Sequence, residues 1–198
     1  MAKISPPSDT SDSSDSVAPQ LHQHAAVTQE YGTIVKLPNG LSESVCKKSV
    51  SLLNQTLADT MTLRDMYKKH HWQVVGPTFD QLHLLFDKHY DAQAELVDIV
   101  AERIQVLGGV TLAMAADVAE ITRIPRPPRG REPAVVQMSR LAQAHEMIII
   151  AARKNAETVA DSGDSGTNDV LVSNVLRTNE LQAWFLTEHL VAVTPVSA

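Results

Sequence analysis

His71, His83, Asp87, Asp98 and Glu102 stand close together in one stretch of the chain. Two imidazoles and three carboxylates offer nitrogen and oxygen but no thiolate, a donor set that suits iron. A site with few protein donors leaves positions on Fe²⁺ where hydrogen peroxide or dioxygen can bind and be reduced, and the carboxylates then stabilise Fe³⁺ by their charge. A single histidine or carboxylate on a helix is ordinary. The spacing of the five sets them apart.

The segment from Asp80 to Leu107 holds no proline or glycine and ends at Gly108-Gly109, which predicts one long helix. At about 100° per residue, His83, Asp87, Asp98 and Glu102 fall within an arc of roughly 100° and share a face. Along the axis, however, Asp87 and Asp98 are about 16 Å apart, and His83 and Glu102 about 28 Å. One ion cannot span that. If the helix packed antiparallel against its own copy across a two-fold axis, His83 and Asp87 of one subunit would meet Asp98 and Glu102 of the other, giving two identical sites per dimer. Spacing alone therefore predicts a homo-oligomer.

The run His71-Trp72, Gly76, Phe79, His83, Asp87, Asp98 and Glu102-Arg103, followed by Leu107-Gly108-Gly109, resembles the Dps family, the ferritin-like mini-ferritins of starved bacteria. The resemblance covers roughly Leu41 to Val191 and leaves out the N-terminal tail. It implies an all-α, ferritin-like four-helix bundle with a short helix in the long connection between its second and third helices, assembled as a homododecameric shell. It also implies inter-subunit ferroxidase sites, with His71, His83 and Asp87 from one subunit and Asp98 and Glu102 from its neighbour. Hydrogen peroxide or dioxygen would be the oxidant, and the ferric product would be stored as mineral, a defence against oxidative stress. An ordinary ferritin builds its di-iron site within one bundle from Glu-x-x-His motifs. No such motif occurs in this chain, which favours the interfacial arrangement.

Composition agrees with a helical bundle. The 198 residues suffice for one domain and a tail, with 43% hydrophobic residues for a core and only 4% aromatic. No apolar run approaches the roughly 20 residues of a membrane span, and the start of the chain lacks the pattern of a secretory signal. Cys46 is the single cysteine, which suits a reducing bacterial cytoplasm, with nucleoid association as an alternative. The net charge of −6 and the acidic tail argue against DNA as a partner, because binding phosphates needs lysine and arginine. Two further readings remain open: a DNA-compacting nucleoid protein in which iron chemistry is secondary, and a metal-buffering shell that prefers zinc, which also accepts imidazole.

The expected organisation is a disordered or loosely packed acidic tail over residues 1–40, a bundle over 41–191, and a short C-terminal tail over 192–198. Helices are expected from Glu43 to about His71, from Asp80 to Leu107, from Ala115 to Ile121 within the long connection, from about Pro133 to Asp161, and from about Thr167 to Val191.

Other residues carry paired readings. Trp72, next to His71, could capture stray oxidising equivalents or simply pack at the end of the first helix. His89 and His145 fall on the core faces of their helices; they form either a satisfied core pair or an additional metal ligand or support for one. Asp161, Asp164 and Asp169 surround the last turn, either lining a pore for Fe²⁺ or as ordinary turn residues. Arg123, Arg126, Arg129 and Arg131 form a basic cluster in a proline-rich loop. Lys47-Lys48 and Lys68-Lys69 read as solvated helix faces, and His22 and His24 as weak surface metal ligands.

Overall fold

A computed structural model describes residues 26–191. Among them every regular element is helical: α1 (Glu43–Gln73), α2 (Phe79–Val106), α3 (Ala115–Ile121), α4 (Ala134–Asp161), α5 (Ser165–Asp169), a π-helical segment (Val170–Leu176) and α6 (Arg177–Glu188). No helix among them is long and apolar enough to cross a membrane.

Local chemistry sets the boundaries. Ser42 caps α1, its hydroxyl accepting from the Val45 amide at 3.4 Å. Gly76, at φ 113°, turns the chain into α2. At the far end of α2, Gly108 adopts φ 81° and donates to the Gln105 carbonyl at 2.8 Å, closing the helix. α1 and α2 thus form one antiparallel hairpin, and α4 with the α5–π–α6 rod forms the other. The long connection between the hairpins is pinned to α1. Asn54 donates to the Val110 carbonyl at 3.0 Å and accepts from the Leu112 amide at 3.0 Å. Asp59 accepts from the Arg123 amide at 2.7 Å and pairs with the Arg123 guanidinium at 2.8 Å. Arg123, though exposed, is therefore a fastener, and Arg126, Arg129 and Arg131 of the basic cluster are exposed as well.

Between the two hairpins lies a core in which Leu53, Leu57, Phe86, Val100, Leu141 and Leu171 are buried, where closely packed apolar side chains supply the main favourable free energy. One feature differs from expectation. The fourth bundle helix is not uniform: Val170–Leu176 widens to π geometry without a proline or glycine to announce it. Within the stretch expected as a loose tail, residues 26–40 lie along the end of α2. The Val35 amide and the Gln29 side-chain amide both donate to the Gly108 carbonyl, at 2.8 and 2.9 Å. A β-carbon at Gly108 would come within 1.9 Å of the Val35 carbonyl oxygen. His22 and His24 lie outside the described residues.

Candidate metal centre

The last turn of α1 and the first turns of α2 form one end of the site. His71 and His83 stack with ring centroids 3.7 Å apart and 20° between planes, and Phe79 stacks on the other side of His83 at 5.1 Å. The imidazoles also cross-link the helices: His71 Nδ1 donates to the His83 carbonyl at 2.8 Å, and His83 Nδ1 to the His71 carbonyl at 3.0 Å. A carbonyl oxygen can only accept, so each ring carries its proton on Nδ1 and keeps Nε2 for a metal. A backbone hydrogen bond on the second nitrogen is the usual device for fixing a ligating histidine's tautomer.

Asp87 sits one turn after His83, its carboxylate oxygen 3.9 Å from His71 Nδ1. It is occupied already: Lys68 donates to it and also lies over the Tyr90 ring, 4.3 Å from the centroid. The Lys68 hydrogen bond holds the Asp87 carboxyl below the usual range, helped by nearby His71 and His83. Lys68 is thus not the solvated side chain expected of it. Trp72, at the end of α1, is 70% exposed.

Asp98 and Glu102 lie three to four turns further along α2, exposed and engaged by no other side chain among the described residues. Within a single chain the structure therefore brings together His71, His83 and Asp87 but not the two remaining carboxylates. Among the described residues no three His, Cys, Asp or Glu side chains converge closely enough to hold a metal.

The remaining acidic candidates separate. Asp161 and Asp169 are exposed, and Asp169 accepts from Ser173 at 2.7 Å. Asp164 is buried: at 1% exposure it accepts from Ser49 at 2.6 Å, Arg103 at 2.7 Å and the Thr167 hydroxyl at 2.6 Å, and caps α5 through the Thr167 amide. Burial alone would raise its carboxyl, but the Ser49 and Thr167 hydrogen bonds and the Arg103 charge outweigh it and hold the group low. Arg103, adjacent to Glu102, is anchored in the same way, so Asp164 steadies the α2 segment that carries the exposed carboxylates.

His89 and His145 are buried, as expected, but do not touch each other. The hydroxyl of Tyr67 bridges them, 2.5 Å from His145 Nε2 and 3.0 Å from His89 Nδ1. Asn179 closes the other side of His145 at 2.8 Å. Tyr67 and Asn179 escaped notice in the sequence, although Tyr67 lies one helical turn before His71 and so near its face.

The ferritin-like domain model matches residues 50–194. DpsC from Streptomyces coelicolor shares 51% identity, with a TM-score of 0.85 over 87% of this chain and 100% of that one. An archaeal Dps homologue from Halobacterium salinarum shares 25% identity, with a TM-score of 0.83 over 87% of this chain and 96% of its own. DNA protection during starvation protein 2 of Bacillus anthracis is 31% identical over 71% of this chain and 94% of that protein.

Proposed function

This chain belongs to the ferritin-like family and, within it, to the Dps group, and on that premise we propose that it is a ferroxidase and iron store. Fe²⁺ is the substrate. It is oxidised by hydrogen peroxide, or by dioxygen, at sites shared between two subunits of a homododecamer, and the ferric product is kept inside the shell. His71 and His83 would offer Nε2 and Asp87 a carboxylate from one subunit, with Asp98 and Glu102 supplied by the partner subunit.

The observation that carries this reading is the division of the site. The last turn of α1 and the first turns of α2 hold two imidazoles already fixed with Nε2 available, while the far half of α2 holds two exposed carboxylates with no partner side chain among the described residues. Leu84, Met114, Val135, Ile150, Leu181 and Trp184 are also exposed in the isolated chain. Assembly would cover such surface. The chemistry belongs in a reducing bacterial cytoplasm, in keeping with the single, buried Cys46.

The test is anaerobic Fe²⁺ loading followed by peroxide, with ferric absorbance recorded for wild type, Asp98→Ala and Glu102→Ala. Fast oxidation lost in both variants is the expected result. Equal, slow oxidation in all three proteins would remove the proposal, and zinc competition would then identify the metal bound. DNA protection is the second reading, named for the Bacillus anthracis relative; in this chain Arg126, Arg129 and Arg131 are exposed basic side chains of the crossover loop, beside Arg123, which is held by Asp59. A gel shift at low salt decides it.

A further inference from the structure

A chain of hydrogen bonds that iron ligation does not use runs through the centre of the bundle, one helical turn from His71. Its direction can be fixed starting from Asn179. Asn179 Nδ2 donates to the Val175 carbonyl at 2.7 Å, which leaves Oδ1 to accept from His145 Nδ1 at 2.8 Å. With that nitrogen protonated, His145 Nε2 carries the lone pair, and the Tyr67 hydroxyl 2.5 Å away donates to it. The Tyr67 oxygen in turn accepts from His89 Nδ1 at 3.0 Å. Tyr67 and His145 are both completely buried. Burial keeps the rings neutral, with His145 pushed down to about 3 and His89 to about 4, and raises the phenol.

We propose that Tyr67 and His145 form a redox pair, in which Tyr67 gives up one electron while its phenolic proton moves to Nε2 of His145. A phenol is hard to oxidise when its proton has no acceptor, because the oxidised phenol is a very strong acid. Here the acceptor is already in place, held in the right tautomer by Asn179 as a positioning residue. Burial keeps solvent from the resulting tyrosyl radical. Tyr67 lies four residues before His71 on α1, about 6 Å along the helix axis, and Phe86 packs against Tyr67 with ring centroids 6.0 Å apart.

The role of the pair rests on the ferroxidase reading. Peroxide takes two electrons and each Fe²⁺ supplies one. When a single Fe²⁺ reacts, peroxide becomes one hydroxide and one hydroxyl radical. The hydroxyl radical takes an electron from Tyr67 and becomes a second hydroxide, and the phenolic proton passes to His145. A second Fe²⁺ later returns an electron to Tyr67, and the proton moves back from His145. The sum is two Fe³⁺ and two hydroxides per peroxide, with no radical released. The low proton affinity of buried His145 favours that return.

The assembled full-length protein is loaded with less than one Fe²⁺ per site, mixed with peroxide and freeze-quenched for electron paramagnetic resonance, with ferric absorbance read in parallel. Wild type and Trp72→Phe should give a tyrosyl signal that falls to background in Tyr67→Phe, a change that removes only the hydroxyl. Spin-trapped hydroxyl radical should rise in that variant, and His145→Gln should lose the exchangeable-proton coupling of the signal. Normal ferric absorbance with an unchanged radical in Tyr67→Phe, or with an indole radical that disappears in Trp72→Phe, overturns the pair. If no variant oxidises iron, the ferroxidase reading fails separately. The pair is then judged on iron-free protein oxidised by azide radicals: a phenoxyl transient present in wild type and reduced in Tyr67→Phe supports it, and identical transients reject it.

Discussion

Lys68 and Asp87 form an ion pair across the α1–α2 hairpin, and Asp87 is one of the proposed iron ligands. Iron and the ammonium therefore compete for one carboxylate. Lys68→Met should tighten anaerobic Fe²⁺ binding, by up to about fivefold for a partly exposed pair. An unchanged or weaker affinity would mean that Asp87 stays with the lysine and takes no part in binding.

A site divided between subunits should show complementation. Shells assembled from His83→Ala chains alone, or from Asp98→Ala chains alone, should be inactive. Random co-assembly makes about half of the dimers mixed, and in each of those one site collects both lesions while the other is intact, so about a quarter of wild-type peroxide-driven oxidation should return. No recovery in verified mixed shells would argue for ligands within one chain.

Acid should weaken the fold before it reaches ordinary carboxylates. Burial holds His70 and His89 down to about 4 and His145 to about 3. Unfolded, all three take up protons near pH 6.5. Below that pH the unfolded chain binds more protons than the folded one, so stability is complete above about pH 7 and is lost as pH falls toward the folded values. Each histidine contributes a slope of about 1.4 kcal/mol per pH unit in that window. Denaturant midpoints measured between about pH 7 and pH 5 should fall accordingly, and His145→Gln should flatten the fall by roughly a third.

Asp164 and Asp169 should separate by phenotype. Asp164→Asn breaks a buried charge pair and should cost about 3 kcal/mol, lowering Tm by roughly 6–12 °C, with normal iron uptake in the shells that form. Asp169→Asn should leave Tm in place. If the exposed Asp169 lines a pore, as proposed, its variant slows uptake of Fe²⁺; an unchanged rate returns Asp169 to an ordinary helix surface.

Much of the scaffold was legible because its signals are local. The bounds of α3, Ala115–Ile121, follow from residue pattern alone, and Gly108 marks the end of α2 through a backbone conformation that other residues rarely adopt. The proposed ligands His83, Asp87, Asp98 and Glu102 stand out in the sequence because they share one face of α2. Lys68, Asp164 and Tyr67 do not, since each owes its role to a partner distant in sequence: Asp87, Ser49 with Arg103, and His145. The π-helical stretch was invisible too, because Val170–Leu176 reads as ordinary helix with no proline or glycine to mark its widening.

Gly108→Ala tests the packing of residues 26–40. A β-carbon there would strike the Val35 carbonyl at 1.9 Å, so the segment should detach from the end of α2. Hydrogen exchange at the Val35 amide, slow in wild type through its bond to Gly108, should become fast. Retained protection would show that the backbone shifts without releasing the segment.

The crossed hydrogen bonds of His71 and His83 give the two rings a second job as the latch of the α1–α2 hairpin. Replacing either ring therefore unfastens the turn as well as removing a ligand, and lost oxidation in such a variant has two explanations. Asp98 and Glu102 engage no other side chain among the described residues, so their variants leave that latch in place. The same latch also couples metal to motion: iron on Nε2 leaves both Nδ1 bonds intact, so a loaded hairpin should open more slowly than an empty one.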